Sequence, residues 1–443
     1  MQAYFFDMDG VLFDSMPSHA EAWVEVMHRH NLPITYREVF INEGRTGRSV
    51  IDECYRNAFG TEAPDGLWQQ IYREKGRLFE SKGEPATIGG VHEVLRFLKG
   101  KGKQIWIVTG SAQQSLFSRL DTCFPDIFSR ERMITAYDVE HGKPAPDPYL
   151  AAWKRSGIEK SHCAVIENAP LGVRSAKAAG LFCMAVNTGI LTLDDLAREH
   201  ADIVFNDMHE LLTFMQVADH IETHILPLYR NFDNGHNLTH AHAVMSASLQ
   251  LASALRLYAA ADGDSIKGFC CPVGGTRAAL LAYTIAAYHD IGLSVDREHH
   301  HLHSGKMLRA DRQLRLWFSD DEIELMACAA EDHRASAKQP PRTIFGAIVA
   351  DADRDLNVTT VIRRALQYGI DRYPELSDDE HCRRAADHLQ DKYSASGYMH
   401  LWLNDPQQTL QQQQLQLLIS NPTELLKTTQ QVMTSLKHAT LKH

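Results

Sequence analysis

The feature that most constrains this chain is its start, where the apolar run Tyr4-Phe5-Phe6 stops at Asp7-Met8-Asp9-Gly10. A short, continuously apolar run bounded by a turn signal reads as a strand buried on both faces, the setting of a parallel sheet. Open α/β sheets gather ligands just beyond the carboxyl ends of their strands, so two acids one residue apart at that edge are placed to meet a substrate. The pattern recurs: residues 104–108 end in Thr109-Gly110-Ser111, 163–166 in Glu167-Asn168, and 183–186 in Asn187-Thr188-Gly189. Polar ends on several strands of one sheet converge on a single crevice.

Between the first two strands the spacing is helical over 18–30, 48–59 and 67–81, which predicts a helical insert at 15–83 within a sheet domain built from 1–14 and 84–215. The strand and helix alternation ends near Phe205-Asn206-Asp207. At 443 residues the chain exceeds one ordinary core, so a second domain is expected over 216–443, joined without a glycine- or serine-rich linker through a helix near 217–230.

The crevice has the parts of a phosphoryl site. Thr109 and Ser111 offer hydroxyls, and Gly110 lets backbone amides approach a phosphoryl oxygen. Lys143, in Gly142-Lys143-Pro144-Ala145-Pro146, sits on a proline-stiffened loop that holds its ammonium as a fixed charge. Carboxylates meet an anionic phosphate only with a cation between them, and hard oxygen ligands favour Mg²⁺.

Asp7-x-Asp9-Gly10-Val11, Thr109-Gly110-Ser111, Lys143-Pro144 and Glu167-Asn168 resemble the four ordered motifs of the haloacid dehalogenase (HAD) superfamily. The insert resembles its C1 cap, and Asn42-Glu43-Gly44-Arg45-Thr46-Gly47 with Glu167-Asn168-Ala169-Pro170 is similar to the β-phosphoglucomutase-like subgroup, especially its inorganic pyrophosphatase branch. The resemblance implies an α/β Rossmann-like core with a helical cap. It makes Asp7 the nucleophile and Asp9 the general acid and base. Mg²⁺ would be held by Asp7, the Asp9 carbonyl, Glu167 and Asn168, while Thr109, Gly110, Ser111 and Lys143 would hold the phosphoryl group. Many members carry Glu-Asp where this chain has Glu167-Asn168. The neutral amide either helps a highly charged substrate such as pyrophosphate or is a tolerated variant. From the cap, His19, Glu43, Arg45, Tyr72 and Lys75 are candidates to close over substrate, Glu43 foremost because glycine follows it on a loop facing the crevice.

The second half is expected to be all-α. Histidine is frequent, 24 in the chain, and concentrated here. The apolar helices 276–288, 323–330 and 344–350 end respectively in His289-Asp290, Glu331-Asp332-His333 and Asp351-Ala352-Asp353, and a further helix over 243–260 follows His240. Charged ends on helices buried all round need a partner or a metal. His240, His289-Asp290 and Asp353, in that order, resemble the ligand set of the HD metal-dependent phosphohydrolases. The resemblance adds His301 and His333 as ligands of a second metal or of phosphate, with His300 and His303 unranked against His301 and with Asp353 preferred to Asp351. Mixed imidazole and carboxylate ligation suits Mn, Fe, Zn or Ni.

The reading is therefore a fused phosphohydrolase of small phosphorylated substrates, its first half acting on inorganic pyrophosphate or a small phosphate monoester. Its alternative is a phosphohexomutase whose second half senses nucleotides or mediates assembly without catalysis. A net charge of −11 argues against nucleic acid or an anionic membrane as the main partner. No signal peptide or long apolar span is read, and the eight scattered cysteines without a Cys-x-x-Cys pair suit a reducing, cytoplasmic setting.

Overall fold

The computed structural model describes residues 1–110, 114–233, 235–337 and 339–440, and it forms two compact units, Met1–Met215 and Gln216–His443. Ser111 lies outside the described residues.

The first unit is built on six parallel strands, β1 (Ala3–Phe6), β2 (Gln104–Val108), β3 (Met133–Ile134), β4 (Cys163–Glu167), β5 (Phe182–Val186) and β6 (Ile203–Phe205), in the order β3-β2-β1-β4-β5-β6. The chain builds outward from β1 on one side through β2 and β3, then returns to its other side at β4. The crevice at a parallel sheet opens where the strand order reverses in this way, so the carboxyl ends of β1 and β4 are its walls. Register fixes the pair: Phe6 lies opposite Ile166 and the Asp7 amide donates to the Ile166 carbonyl at 3.0 Å, so Asp7 and Glu167 emerge side by side. Every residue of β1 and β4 is buried, as strands covered by helices on both faces require.

Between β1 and β2 run α1 (Met16–Arg29), α2 (Tyr36–Ile41), α3 (Gly47–Phe59), α4 (Leu67–Ser81) and α5 (Val91–Gly100). The first four form the cap. Trp23, Val26 and Met27 of α1 share an apolar cluster with Phe40, Val50, Ile51 and Ile71, each large side chain adding roughly 1.5–3 kcal/mol of burial. Thr35 and Glu38 form a reciprocal capping box at α2, and Thr46 caps α3. After β2 come α6 (Gln114–Cys123), α7 (Asp147–Ser156), α8 (Pro170–Ala178) and α9 (Leu193–Ala197), and α10 (Met208–His220) follows β6.

The expected helix over 217–230 is instead the end of α10 followed by a π-helical turn at Ile221–Ile225 and a 3₁₀ segment at Leu226–Asn231. Pro227, in the first turn of that 3₁₀ segment, lacks the amide that a continuing α-helix would need. Beyond it come α11 (Leu238–Ala254), α12 (Arg277–Tyr288), α13 (His300–Ala310), α14 (Asp320–Glu331), α15 (Ile344–Ala352), α16 (Val358–Arg372), α17 (Asp378–Tyr393), α18 (Pro406–Ile419) and α19 (Pro422–Thr440). The all-helical expectation needs one amendment. A two-stranded antiparallel hairpin, β7 (Asp264–Ile266) and β8 (Phe269–Cys271), stands between α11 and α12, its turn made by Lys267 and Gly268 at positive φ.

Helix α11 starts earlier than its apolar run, because Asn237 accepts a hydrogen bond from the His240 amide and places His240 inside the first turn. Helix α15 is buried from Ile344 through Asp351, and α12 is buried at nine of its twelve positions, so both deliver their polar C-terminal residues into the interior. A separate apolar cluster joins α16, α17, α18 and α19 through Ile362, Leu366, Leu389, Leu415 and Val432.

Candidate functional site

In the first unit Asp7, Asp9, His19, Glu43, Arg45, Tyr72, Lys75, Thr109 and Gly110 line one cavity of about 100 Å³. Gly10 takes φ +74°, which turns the chain away after Asp9, and a Cβ there would fall 2.1 Å from the Asn168 side-chain nitrogen. Gly172 is equally constrained, since a Cβ would collide with the Glu167 carboxylate. Both glycines make room for the acidic end of β4.

Lys143 reaches across this edge to Asp7 and to Glu167 Oε1, the latter at 2.6 Å, and Tyr149 donates to the same Glu167 oxygen at 2.6 Å. Burial pushes the Asp7 carboxyl up to about 8, with Lys143 opposing and the Glu167 and Asp9 charges adding to the rise. Burial also works against the Lys143 charge, but Asp7 and Glu167 outweigh it and hold the ammonium above its ordinary range.

Asp9 has a different environment. Ser15 Oγ donates to Asp9 Oδ1 at 2.6 Å, His19 Nε2 stands 3.4 Å from the same oxygen, and Lys75 Nζ lies 2.5 Å from His19 Nδ1. Burial pushes Asp9 up, yet the His19 and Ser15 contacts win and its carboxyl sits below the ordinary value. Burial lowers Lys75 to about 8. The His19 ring stacks on Phe79 at 4.0 Å, which fixes the line from Lys75 to Asp9.

The cap loop closes the cavity. Glu43 is buried and accepts from Asn168 Nδ2 at 3.0 and 3.2 Å, and a Cβ on Gly110 would meet the Gly44 carbonyl at 3.0 Å. Burial, then the charges of Asp7, Glu167 and Asp9, raise Glu43 well above the carboxylate range. Arg45 lines the cavity, but its guanidinium is held within the cap by Glu53 and by Asn42 Oδ1 at 3.0 Å. Thr109 is buried beside these groups. Sequence reasoning gave no role to Ser15 or Tyr149. Ser15 follows the strand closely enough to be noticed, whereas nothing local marks Tyr149.

These residues fit a hard divalent cation. Asp7, Asp9, Glu43 and Glu167 bring four carboxyl groups close enough to act on one another, and the buried Asn168 Oδ1 has no hydrogen-bond partner, which suits an oxygen ligand awaiting a cation.

In the second unit, His240 Nε2 lies 3.1 Å from Asp353 Oδ1 and 3.6 Å from Asp290 Oδ2, and His289 Nε2 lies 3.2 Å from Asp290 Oδ2. The other oxygen, Asp290 Oδ1, is 3.4 Å from both His300 Nε2 and His333 Nε2. One carboxylate thus faces two histidine pairs. His289, His300 and His333 each place Nδ1 at 2.6–2.8 Å from the carbonyl three residues earlier, Ala286, Arg297 and Ala330 respectively. Those carbonyls accept the Nδ1 proton, so that in the neutral imidazole the Nε2 lone pair faces the centre, the outer-shell arrangement of imidazole metal ligands. The His240 and His289 Nε2 atoms are only 3.3 Å apart and those of His300 and His333 3.2 Å, spacings that a shared cation relieves.

His300, and not His301, approaches Asp290, while the His301 Nδ1 is buried without a partner. Helix α13 begins at His300, and one residue further turns the side chain by about 100° away from the cluster. Asp351 and Asp353 also separate: Asp351 accepts from the amides of Trp402 at 3.0 Å and Leu403 at 2.8 Å, holding the loop before α18, while Asp353 faces His240. His303 is absent from the two His/Asp groups formed among the described residues.

The family described as haloacid dehalogenase-like hydrolase matches residues 1–180. The N-terminal half is a haloacid dehalogenase-like hydrolase domain. Its relatives include validoxylamine A 7'-phosphate phosphatase of Streptomyces hygroscopicus subsp. limoneus, 29% identical over 46% of this chain and 93% of that protein. Hexitol phosphatase A of Escherichia coli is 28% identical over 48% of this chain and 95% of its own length. Beta-phosphoglucomutase of Bacillus subtilis is 27% identical over 47% and 95%. The HAD domain of this chain is therefore related to both phosphatases and a mutase. Among the described residues, no helix is long and apolar enough to cross a membrane.

Proposed function

We propose that the HAD domain is a Mg²⁺-dependent phosphohydrolase that acts on inorganic pyrophosphate or another short phosphorylated substrate. The observation that carries this reading is Glu43 hydrogen-bonded to Asn168 over a cavity of about 100 Å³, which leaves little room beyond a phosphoryl group and a short leaving group. Sugar phosphates become substrates if the cap opens further, and the phosphatase relatives support that as the second reading.

With Lys143 holding Asp7 ionised and the negative charge of the incoming substrate favouring the protonated form of Asp9, Asp7 attacks phosphorus, a bond from its carboxylate oxygen forms as the bond to the leaving oxygen breaks, and Asp9 gives that oxygen its proton. Water then attacks the aspartyl-phosphate, its proton passes to Asp9, and phosphate leaves with Asp7 restored. The Ser15 and His19 contacts orient Asp9 for both transfers. Lys143 neutralises charge at the transferring group. Asp7, the Asp9 carbonyl, Glu167 and Asn168 would hold Mg²⁺, which supplies charge neutralisation between the acids and the phosphate. A panel of pyrophosphate, hexose phosphates and nucleotides with Mg²⁺ tests the reading; isomerisation of glucose 1-phosphate in place of hydrolysis would establish a mutase.

For the second unit we infer a metal-dependent phosphohydrolase of the HD type. Its support is Asp290 between the His240–His289 and His300–His333 pairs, a geometry suited to two transition-metal ions with Asp353 as a further ligand. Elemental analysis of the full chain tests it, with two equivalents of Mn, Fe, Zn or Ni expected and none counting against the centre.

A further inference from the structure

A cavity of about 570 Å³ opens beside the His/Asp cluster, reached from His240 and Asp353 and walled by α16 and α17. Its charge is unlike that of the chain as a whole. Arg354, Arg364, Arg372, Arg384 and Lys392 line it, against Asp355 and Asp371 outside the cluster and apart from the Asp233–Arg297 pair. Among the described residues, none of Arg364, Arg372, Arg384 and Lys392 forms an ion pair with a carboxylate. Arg354 is 6% exposed, and its Nε has no hydrogen-bond partner. An excess of cations over carboxylates in a concave site costs self-repulsion and desolvation, so its use is to take up an anion.

The cations fall into two groups. Helices α16 and α17 pack together. Arg364 Nη2, midway along α16, lies 3.3 Å from His240 Nδ1, and Lys392, near the end of α17, feels the charges of both Asp353 and Arg364. Arg372 and Arg384 stand eight residues away from these two along their respective helices, roughly 12 Å at the α-helical rise. Arg384 is not free to wander: it donates to the Ala365 carbonyl and rests over the Tyr368 and Tyr373 rings at 5.7 and 5.9 Å. Two separated cationic ends with an aromatic side chain between them call for an extended ligand, since a single phosphate reaches only one end.

We propose that this cavity selects an organic phosphate carrying a second anionic group, one phosphate meeting Arg364, Lys392 and the His/Asp cluster and the other meeting Arg372 and Arg384. This deepens, and rests on, the reading of the cluster as a metal centre. A nucleoside bisphosphate has the required length and is too large for the cavity of about 100 Å³ in the first unit.

The test is calorimetric binding of adenosine 5'-monophosphate and adenosine 3',5'-bisphosphate to the full chain loaded with Mn²⁺ and carrying Asp7→Asn, so that the first site does not turn over. The bisphosphate should bind at least tenfold more tightly, Arg372→Gln should bring the two affinities together, and Arg364→Gln should weaken both about tenfold. Arg372 is exposed, so its replacement leaves the fold intact, and Arg384→Lys should keep most of the preference by keeping the charge. Equal affinities in the parent protein, or a preference that survives Arg372→Gln and Arg384→Gln, would overturn the proposal. Elemental analysis on the same samples separates the two ideas: a bisphosphate preference without bound metal upholds the cavity and removes the metal centre, and bound metal without the preference does the reverse.

Discussion

Asn168 donates its side-chain amide to Glu43 at 3.0 Å, joining the end of β4 to the cap loop over the candidate nucleophile. An amide can donate to the Glu43 carboxyl group, whereas a carboxylate in its place has no N–H to donate and adds negative charge beside Asp7, Asp9 and Glu167. Asn168→Asp should therefore open the cap and reduce kcat/KM for pyrophosphate about 10- to 100-fold, or roughly 1.4–2.7 kcal/mol. Hydrolysis of a small monoester should fall less. Steady-state kinetics on both substrates read the difference, and equal losses would argue that the pair has no part in selectivity.

Asp7→Asn should remove turnover by more than about a hundredfold while binding of Mg²⁺ and substrate weakens less, because the amide keeps the shape and loses the nucleophile. A smaller loss would show that another group attacks.

Lys75 gives a pH prediction with a definite sign. Its folded value of about 8 is below the 10.5 of an ordinary lysine, so the folded protein binds fewer protons between those values and stability rises with pH across that window. The cost of holding the charged form, about 3 kcal/mol, is fully present below pH 8 and is relieved by about pH 10.5. Denaturant titrations of the wild type and Lys75→Met at several pH values should show the difference between them changing over that range. A constant difference would mean that Lys75 is not desolvated.

Asp290→Asn should remove both metal equivalents, since one carboxylate serves both histidine pairs, and His300→Ala should remove one. Asp351→Ala is expected to behave differently. It leaves the buried amide of Leu403 and the part-buried amide of Trp402 without an acceptor, which should destabilise the protein by about 1–3 kcal/mol with metal content retained in the folded fraction. Melting curves paired with elemental analysis distinguish the two variants.

Gly10→Ala should cut activity at least tenfold, because position 10 needs positive φ and an added Cβ would displace Asn168. Near-normal turnover would show that the turn can relax.

Much of the first unit was legible because its information is local. A buried strand ending in Asp-x-Asp, and its repeats at Thr109-Gly110 and Glu167-Asn168, are contiguous patterns, and the parallel sheet needs only that each strand be apolar on both faces. The same holds for α12 and α15, whose apolar lengths announce their burial. The β7–β8 hairpin escaped notice because each strand has only three residues, too few to show a period.

The sequence by itself determined which side chains each half has to offer: acids, hydroxyls and a lysine at strand ends in one, histidines and aspartates at the ends of buried helices in the other. Tertiary structure alone decided which members of each set meet. It selected His300 over His301 by where α13 begins, held Arg45 within the cap, brought Tyr149 to Glu167 and Ser15 to Asp9, and set Asn168 against Glu43 from 125 residues away. Residue type fixes what a side chain can donate, accept or ligate, but helix phase and the closing of distant segments fix what it touches, and neither is contained in any short window of sequence.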